Sequence, residues 1–123
     1  MKQIRVLLIE DSFTDLEIQT RLLKRAGFSV TIASGGDEGI AIALAVIPSV
    51  ILTDLNLITG NGVAVVKAVK SNEKTRHIPV IGITGHTEAS RDEALAEGFD
   101  DLLIKPLDPV IFAKLVVMLC QQS

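Results

Sequence analysis

The chain has 123 residues, with 12 basic against 15 acidic side chains for a net charge of −3, and 48% hydrophobic against 22% charged residues; this is the balance of a globular protein, not a disordered one. That length fits one domain of ~100–200 residues, and the longest apolar stretch, Ile40 to Ile47, falls far short of the ~20 residues a membrane-spanning helix needs. Lysines and arginines are scattered, so the basic footprint of a nucleic-acid binder is missing. The one cysteine, Cys120, excludes an internal disulfide and suits a reducing cytoplasm. No apolar segment with a small-residue cleavage site precedes Glu10, so no export signal is expected.

Val6–Ile9 is a strand-sized apolar run followed at once by Glu10 and Asp11. Thr14 and Glu17 form a capping-box pattern that predicts a first helix from Thr14 to Gly27, with Ile18, Leu22 and Ala26 on one face. Ser29–Ile32 is the most polar strand candidate and suits a sheet edge. A second helix is expected from near Ser34 to before Pro48, which cannot continue it. Val50–Thr53 reads as a buried strand ending at Asp54. Gly62 to about Ser71 predicts a third helix with Val63, Val66 and Val69 in register. Val80–Thr84 predicts a fourth strand, and residues 88–97 a polar helix closed by Gly98. Leu102–Ile104 is the fifth strand, leading into Lys105 and Pro106. Asp108 as N-cap and Pro109 at the first helical position open a last helix.

Five alternations of strand and helix imply a parallel sheet with helices on both faces, and ligands of such sheets bind beyond the carboxyl ends of the strands. Glu10 and Asp11, Asp54, Thr84 and Lys105 all fall at those ends. Clustered carboxylates resist ionising together unless a positive charge is present. Magnesium suits an all-oxygen site and leaves coordination positions for a phosphate oxygen. Asp54 is then the candidate nucleophile, forming an acyl phosphate while metal and lysine neutralise the transferred group.

Across essentially the whole chain these motifs resemble the receiver domains of two-component response regulators. The resemblance implies a single receiver domain over residues 1–123, a doubly wound α/β three-layer sandwich with its five-stranded parallel sheet in the order 2-1-3-4-5. It implies Mg2+ held by Glu10, Asp11, Asp54 and the main-chain carbonyl of Asn56, with phosphorylation on Asp54. It places the phosphoryl-binding hydroxyl on Thr84, within GITGH, and the Lys-Pro pair on Lys105 and Pro106. Gly62 and Gly98 match the glycines that open the third helix and precede the fifth strand. A histidine kinase or histidine phosphotransfer domain is the implied donor. The protein is expected to be a signalling phosphoacceptor that catalyses its own phosphorylation and dephosphorylation, not an enzyme acting on other substrates, with no membrane or nucleic-acid partner.

Four departures from the family pattern stand out. Glu10 replaces an aspartate in the acidic pair. Leu57-Ile58-Thr59-Gly60-Asn61 replaces a Met-Pro-shaped segment and predicts a more mobile loop. Leu102 lies where the family commonly carries Tyr or Phe, which predicts a response through Thr84 and the loop 85–87 without an aromatic rotamer switch. The last helix is apolar on more than one face, through Val110, Ile111, Phe112, Leu115, Val116, Val117, Met118 and Leu119, which predicts an interface with a homodimer or effector partner. Asn56 and His86 flank the expected reaction path, Gly85 keeps it open, and His77 is expected to be solvated. With 18 residues after Lys105, no output domain is expected. A stand-alone receiver, one excised from a hybrid kinase, and a phosphorelay intermediate all remain open.

Three other readings compete with this one. A phosphatase resembling the haloacid-dehalogenase family requires an aspartate where this chain has Asn56. A flavodoxin-type carrier needs a Trp or Tyr to stack on a flavin, and the chain has neither. A pseudo-receiver acting without phosphorylation is kept open by Glu10.

Overall fold

The computed structural model describes residues 3–57 and 61–120. Ten elements alternate in order: β1 (Arg5–Ile9), α1 (Phe13–Arg25), β2 (Ser29–Ala33), α2 (Gly36–Val46), β3 (Val50–Asp54), α3 (Gly62–Ser71), β4 (Val80–Thr84), α4 (Arg91–Glu97), β5 (Asp101–Ile104) and α5 (Pro109–Cys120). The five strands pair in parallel in the order β2-β1-β3-β4-β5. The polar β2 is indeed an edge, while β3 and β4 are buried throughout. Among the described residues no helix is long and apolar enough to cross a membrane.

Strand side chains alternate between faces, and the core divides accordingly. Leu7, Ile9, Ile51 and Val80 join Val65, Val66, Val69, Ala94 and Phe99 on one face. Val6, Leu8, Val50, Leu52, Ile81 and Ile83 face Leu23, Phe28, Phe112, Leu115 and Val116 on the other. There the rings of Phe28 and Phe112 meet edge to face, centroids 5.5 Å apart, a favoured arrangement. The face carrying α1 and α5 is the one that matters for the site.

Helix ends show where the sequence reading needs correcting. Helix α1 begins at Phe13, one residue before the predicted Thr14, because the cap is Ser12, two residues earlier, whose hydroxyl accepts from the Asp15 N–H. The Thr14–Glu17 capping box does not form. Nor is the Ile18 row the buried one: Gln19 and Leu23 are buried, Leu22 is half-buried, and Ile18 and Ala26 are exposed. Gly27 does adopt a positive φ of 97° just past the end of α1. Helix α4 starts at Arg91 instead of Glu88, capped by the Ser90 hydroxyl, which accepts from the Glu93 N–H. Helix α2 starts at Gly36 while Ser34 hydrogen-bonds Glu38 just upstream. It ends before Pro48 as expected, with Ile47 at φ 47° and the carbonyls of Val46 and Ile47 accepting from the Arg5 guanidinium at 3.0 and 2.7 Å. Asp108 caps α5 as predicted, accepting from the N–H groups of Val110 and Ile111.

Gly62 is the glycine that links packing to the site. A Cβ there would lie 2.7 Å from the Asp54 carbonyl oxygen and 3.0 Å from Leu55 Cα, backbone atoms that cannot rotate aside. At Gly85 an added Cβ would meet nothing within 4 Å. Gly62→Ala is therefore expected to destabilise the fold by ~1–3 kcal/mol, the range of overpacking substitutions, whereas Gly85→Ala should leave stability nearly unchanged. Denaturant unfolding of the two variants checks this; equal midpoints would contradict the packing at Gly62.

Candidate functional site

The register of the sheet brings the strand tips together in a staircase. Ile9 pairs with Thr53, Asp54 with Ile83, and Thr84 with Ile104. Glu10, Asp54, Thr84 and Lys105 therefore occupy successive ends of neighbouring strands, ~4.8 Å apart in the pairing direction. Alternation decides which of them meet. Glu10, Asp54 and Lys105 continue the rows of Leu8, Leu52 and Leu103, all on the α1/α5 face, so their side chains rise on the same side of the sheet.

There the Lys105 ammonium donates to Asp54 Oδ2 at 2.7 Å and to Asp15 Oδ2 at 2.7 Å, and lies 3.3 Å from Glu10 Oε2. Glu10 is fully buried and Asp54 is 6% exposed. Oxygens of Glu10, Asp15 and Asp54 lie within 4.8 Å of one another. Asp11, the second member of the predicted pair, is half-buried and is not one of these three. Asp15 is the residue the sequence reading missed. Its signal was the helix start: with Ser12 as cap, the first turn of α1 carries Asp15 over the strand tips.

One ammonium cannot balance three carboxylates. Burial first, and then the negative charge of Asp54, push the Glu10 carboxyl up from 4.5 to about 7, against the lowering effects of the Ser12 N–H and Lys105. Its Oε1 accepts from that N–H at 3.1 Å, while Oε2, although near the ammonium, has no hydrogen bond. For Lys105, burial acts to lower the pKa but is outweighed by Asp15, Asp54 and Glu10, and the net shift is upward. A buried, unsatisfied carboxylate oxygen beside two other carboxylates is what a hard divalent cation would satisfy, so the donor set fits a metal ion.

The remaining predicted residues surround this cluster. The Asn56 N–H donates to Asp54 Oδ1 at 2.8 Å, fixing the main chain of Asn56 against the candidate nucleophile. Thr84 is buried and its hydroxyl accepts from the His86 N–H at 3.2 Å. The Lys105 N–H donates to the Thr84 carbonyl at 2.7 Å, and the Lys105–Pro106 peptide is cis. His86 is exposed, with Nδ1 3.7 Å from Glu88, and His77 is exposed as expected. Leu102 is buried on β5, paired with Gly82. Of the segment from Leu57 to Asn61, residues 58–60 lie outside the described residues. On α5, Phe112, Leu115 and Val116 are buried while Val110, Ile111, Val117 and Met118 are exposed, so the apolar surplus is on the surface.

Comparison with known proteins agrees with this geometry. Residues 6–116 match the response regulator receiver domain family. The chain is 30% identical to the protein PilH of Pseudomonas aeruginosa over 91% of its own length and 93% of that protein's. It is 31% identical to the response regulator PleD of Caulobacter vibrioides, of which it spans 25%. Among solved structures, the chemotaxis protein CheY4 of Vibrio cholerae superposes with a TM-score of 0.85 at 27% identity, covering 96% of this chain and 99% of that one. The receiver domain of the sensor histidine kinase PA1611 of Pseudomonas aeruginosa, solved with a magnesium ion in its active-site cleft, superposes at 0.87 with 22% identity, covering 98% and 99%. So does the receiver domain of Ssk1 of Saccharomyces cerevisiae, solved with the histidine phosphotransfer protein Ypd1, at 0.84 with 23% identity, covering 98% and 92%. Fold, acidic cluster and family match converge, and the chain belongs to the response regulator receiver domain family of two-component signalling.

Proposed function

We propose that this chain is a phosphoacceptor: Asp54 takes a phosphoryl group from a histidine kinase or histidine phosphotransfer domain in a Mg2+-dependent reaction. The single observation that carries the reading is the buried Asp54 carboxylate paired at 2.7 Å with Lys105, beside a Glu10 oxygen that lacks a hydrogen bond. An Asp54 oxygen attacks phosphorus, a P–O bond forms, and the bond from phosphorus to the donor imidazole nitrogen breaks. Mg2+ would be held by Glu10, Asp11, Asp54 and the Asn56 carbonyl, and when bound it supplies neutralisation of the phosphoryl oxygens and of the crowded carboxylates. Lys105 stabilises the charge on the transferred group. Thr84 accepts from His86 and keeps its own hydroxyl proton to donate to a phosphoryl oxygen.

The response to phosphorylation runs through Thr84 and residues 85–87, since no tyrosine or phenylalanine stands at position 102. The exposed strip of α5 then offers a surface to a second copy or an effector. Similarity to a receiver captured with a histidine phosphotransfer protein supports the same class of donor here. The charge of −3 and the scattered basic residues speak against direct binding to nucleic acid. Residues 1–123 act as one receiver domain in this reading, in the cytoplasm, where such donors act. The chain catalyses its own phosphorylation and dephosphorylation and no reaction on other substrates.

With Mg2+ and a small phosphoryl donor, intact mass measurement is expected to show one added phosphoryl group. The gain should vanish in Asp54→Asn or on chelating the metal. Persistence in Asp54→Asn would move the acceptor elsewhere, and no gain at all in the unaltered protein would favour the pseudo-receiver.

Stability should also report the site. Because Glu10 titrates at about 7 when folded against 4.5 ordinarily, the native state holds a proton that the unfolded chain releases. Stability therefore falls as pH rises between these values and levels off above them. Metal binding needs the ionised form and favours the native state by mass action. The melting temperature without metal should thus drop by several degrees from pH 5.5 to pH 8, and Mg2+ should raise it more at pH 8 than at pH 6. Glu10→Gln should flatten this pH dependence; calorimetry showing the same slope in that variant would assign the titration to another group.

A further inference from the structure

Asp15 shares the acidic cluster with Glu10 and Asp54, but the phosphoryl-transfer reading above gives it no role. Its carboxylate comes from the first turn of α1, not from a strand end, yet it accepts from Lys105 at the same 2.7 Å as Asp54. It stands at the rim of the pocket, its side chain 37% exposed, whereas those of Glu10 and Asp54 are 0% and 9% exposed. Lys105 thus lies between two inner carboxylates and one outer carboxylate. Its flexible four-carbon stem does not hold the ammonium in one place by itself. When Glu10 and Asp54 take up a divalent cation, that ion and the ammonium repel each other, and the inner oxygens that hold Lys105 are drawn to the ion. Only the Asp15 carboxylate remains to hold the ammonium. The main chain that carries Asp15 is anchored, because its N–H donates to the capping hydroxyl of Ser12.

The geometry points to Asp15 as a positioning residue: it retains the Lys105 ammonium beside Asp54 while Glu10 and Asp54 are occupied by Mg2+, so that both positive groups serve the phosphoryl group together. This rests on the receiver reading for its purpose, but its physical content is separable. Without metal, Asp54 and Glu10 hold Lys105 whether or not Asp15 is charged; with metal, Asp15 becomes decisive. A merely structural acid at the N-terminus of α1 would show no such dependence on the ion.

The test is NMR of the lysine ammonium groups in the unaltered protein and in Asp15→Asn, with the Lys105 signal assigned by its absence in Lys105→Met. The unaltered protein should keep a Lys105 signal protected from exchange with water both without metal and at saturating Mg2+. Asp15→Asn should keep it without metal and lose it at saturating Mg2+. In the same variant, phosphoryl gain at saturating Mg2+ should slow about tenfold, the scale of one hydrogen bond between charged groups. The inference is overturned if the signal survives Mg2+ in Asp15→Asn, if Mg2+ abolishes it in the unaltered protein, or if the phosphorylation rate does not change. If the unaltered protein takes no phosphoryl group, the receiver chemistry fails by itself, and the ammonium signal still decides the role of Asp15.

Discussion

The structure turns on one ammonium held among three carboxylates. Lys105 contacts Asp54, Asp15 and Glu10 at once, in a pocket where Glu10 has no access to water. Burying an ionised carboxylate is costly unless it is paired and hydrogen-bonded, and here the pairing is incomplete: three carboxylates outnumber the one ammonium. The consequence is the upward shift of Glu10 to about 7. A core assembled for stability alone would replace such a cluster with apolar side chains. Local rules are broken in this way chiefly at functional sites, and the physical need left behind, further positive charge at oxygen ligands, is one that a divalent metal ion would meet.

Bringing those groups together requires the whole sheet. Each is delivered by a different segment, and each strand segment is anchored by an apolar row beneath it, Leu8 under Glu10, Leu52 under Asp54 and Leu103 under Lys105. A shift of one residue in any strand would turn its tip residue to the opposite face. The buried rows therefore fix chemistry as well as stability. The α1/α5 face supplies the rest, because the first turn of α1 delivers Asp15 and the chain running from β5 into α5 carries Lys105.

The sheet was legible from sequence because strand-sized apolar runs, Gly27, Pro48, Gly98 and the Asp108-Pro109 pair each carry a local signal. Strand tips then follow from the runs, which is why Glu10, Asp54, Thr84 and Lys105 could be named. Asp15 could not. Treating Thr14 as the cap puts it two residues late, and two residues correspond to ~200° around a helix of 3.6 residues per turn, enough to assign the wrong role to each side chain of the first turn. Ser12 and Thr14 are both good caps, and in the folded chain it is the Ser12 hydroxyl that accepts, from the Asp15 N–H. The buried Gln19 was hidden for a related reason: its polar type argued for solvent, whereas its position on α1 faces the sheet, and exposed Ile18 shows the converse.

Packing around β4 links the segment that follows Asp54 to the far strand, where position 102 carries leucine. Gly82 has no side chain, and the point its Cβ would occupy lies 3.0 Å from Leu55 Cδ2, 3.3 Å from Leu102 Cδ1 and 3.3 Å from Phe99 Cδ1. Three side chains from β5, the α4–β5 turn and the residue after Asp54 therefore converge on the space one glycine leaves open. Leu55 is in turn held through its carbonyl, which accepts from the Gly62 N–H at 3.2 Å, and through its N–H, which donates to the Ile83 carbonyl at 3.1 Å. Close-packed interiors transmit small displacements because they have little free volume to absorb them. Leu55, next to Asp54 in the chain, and Leu102 on β5 therefore belong to one close-packed apolar cluster around Gly82.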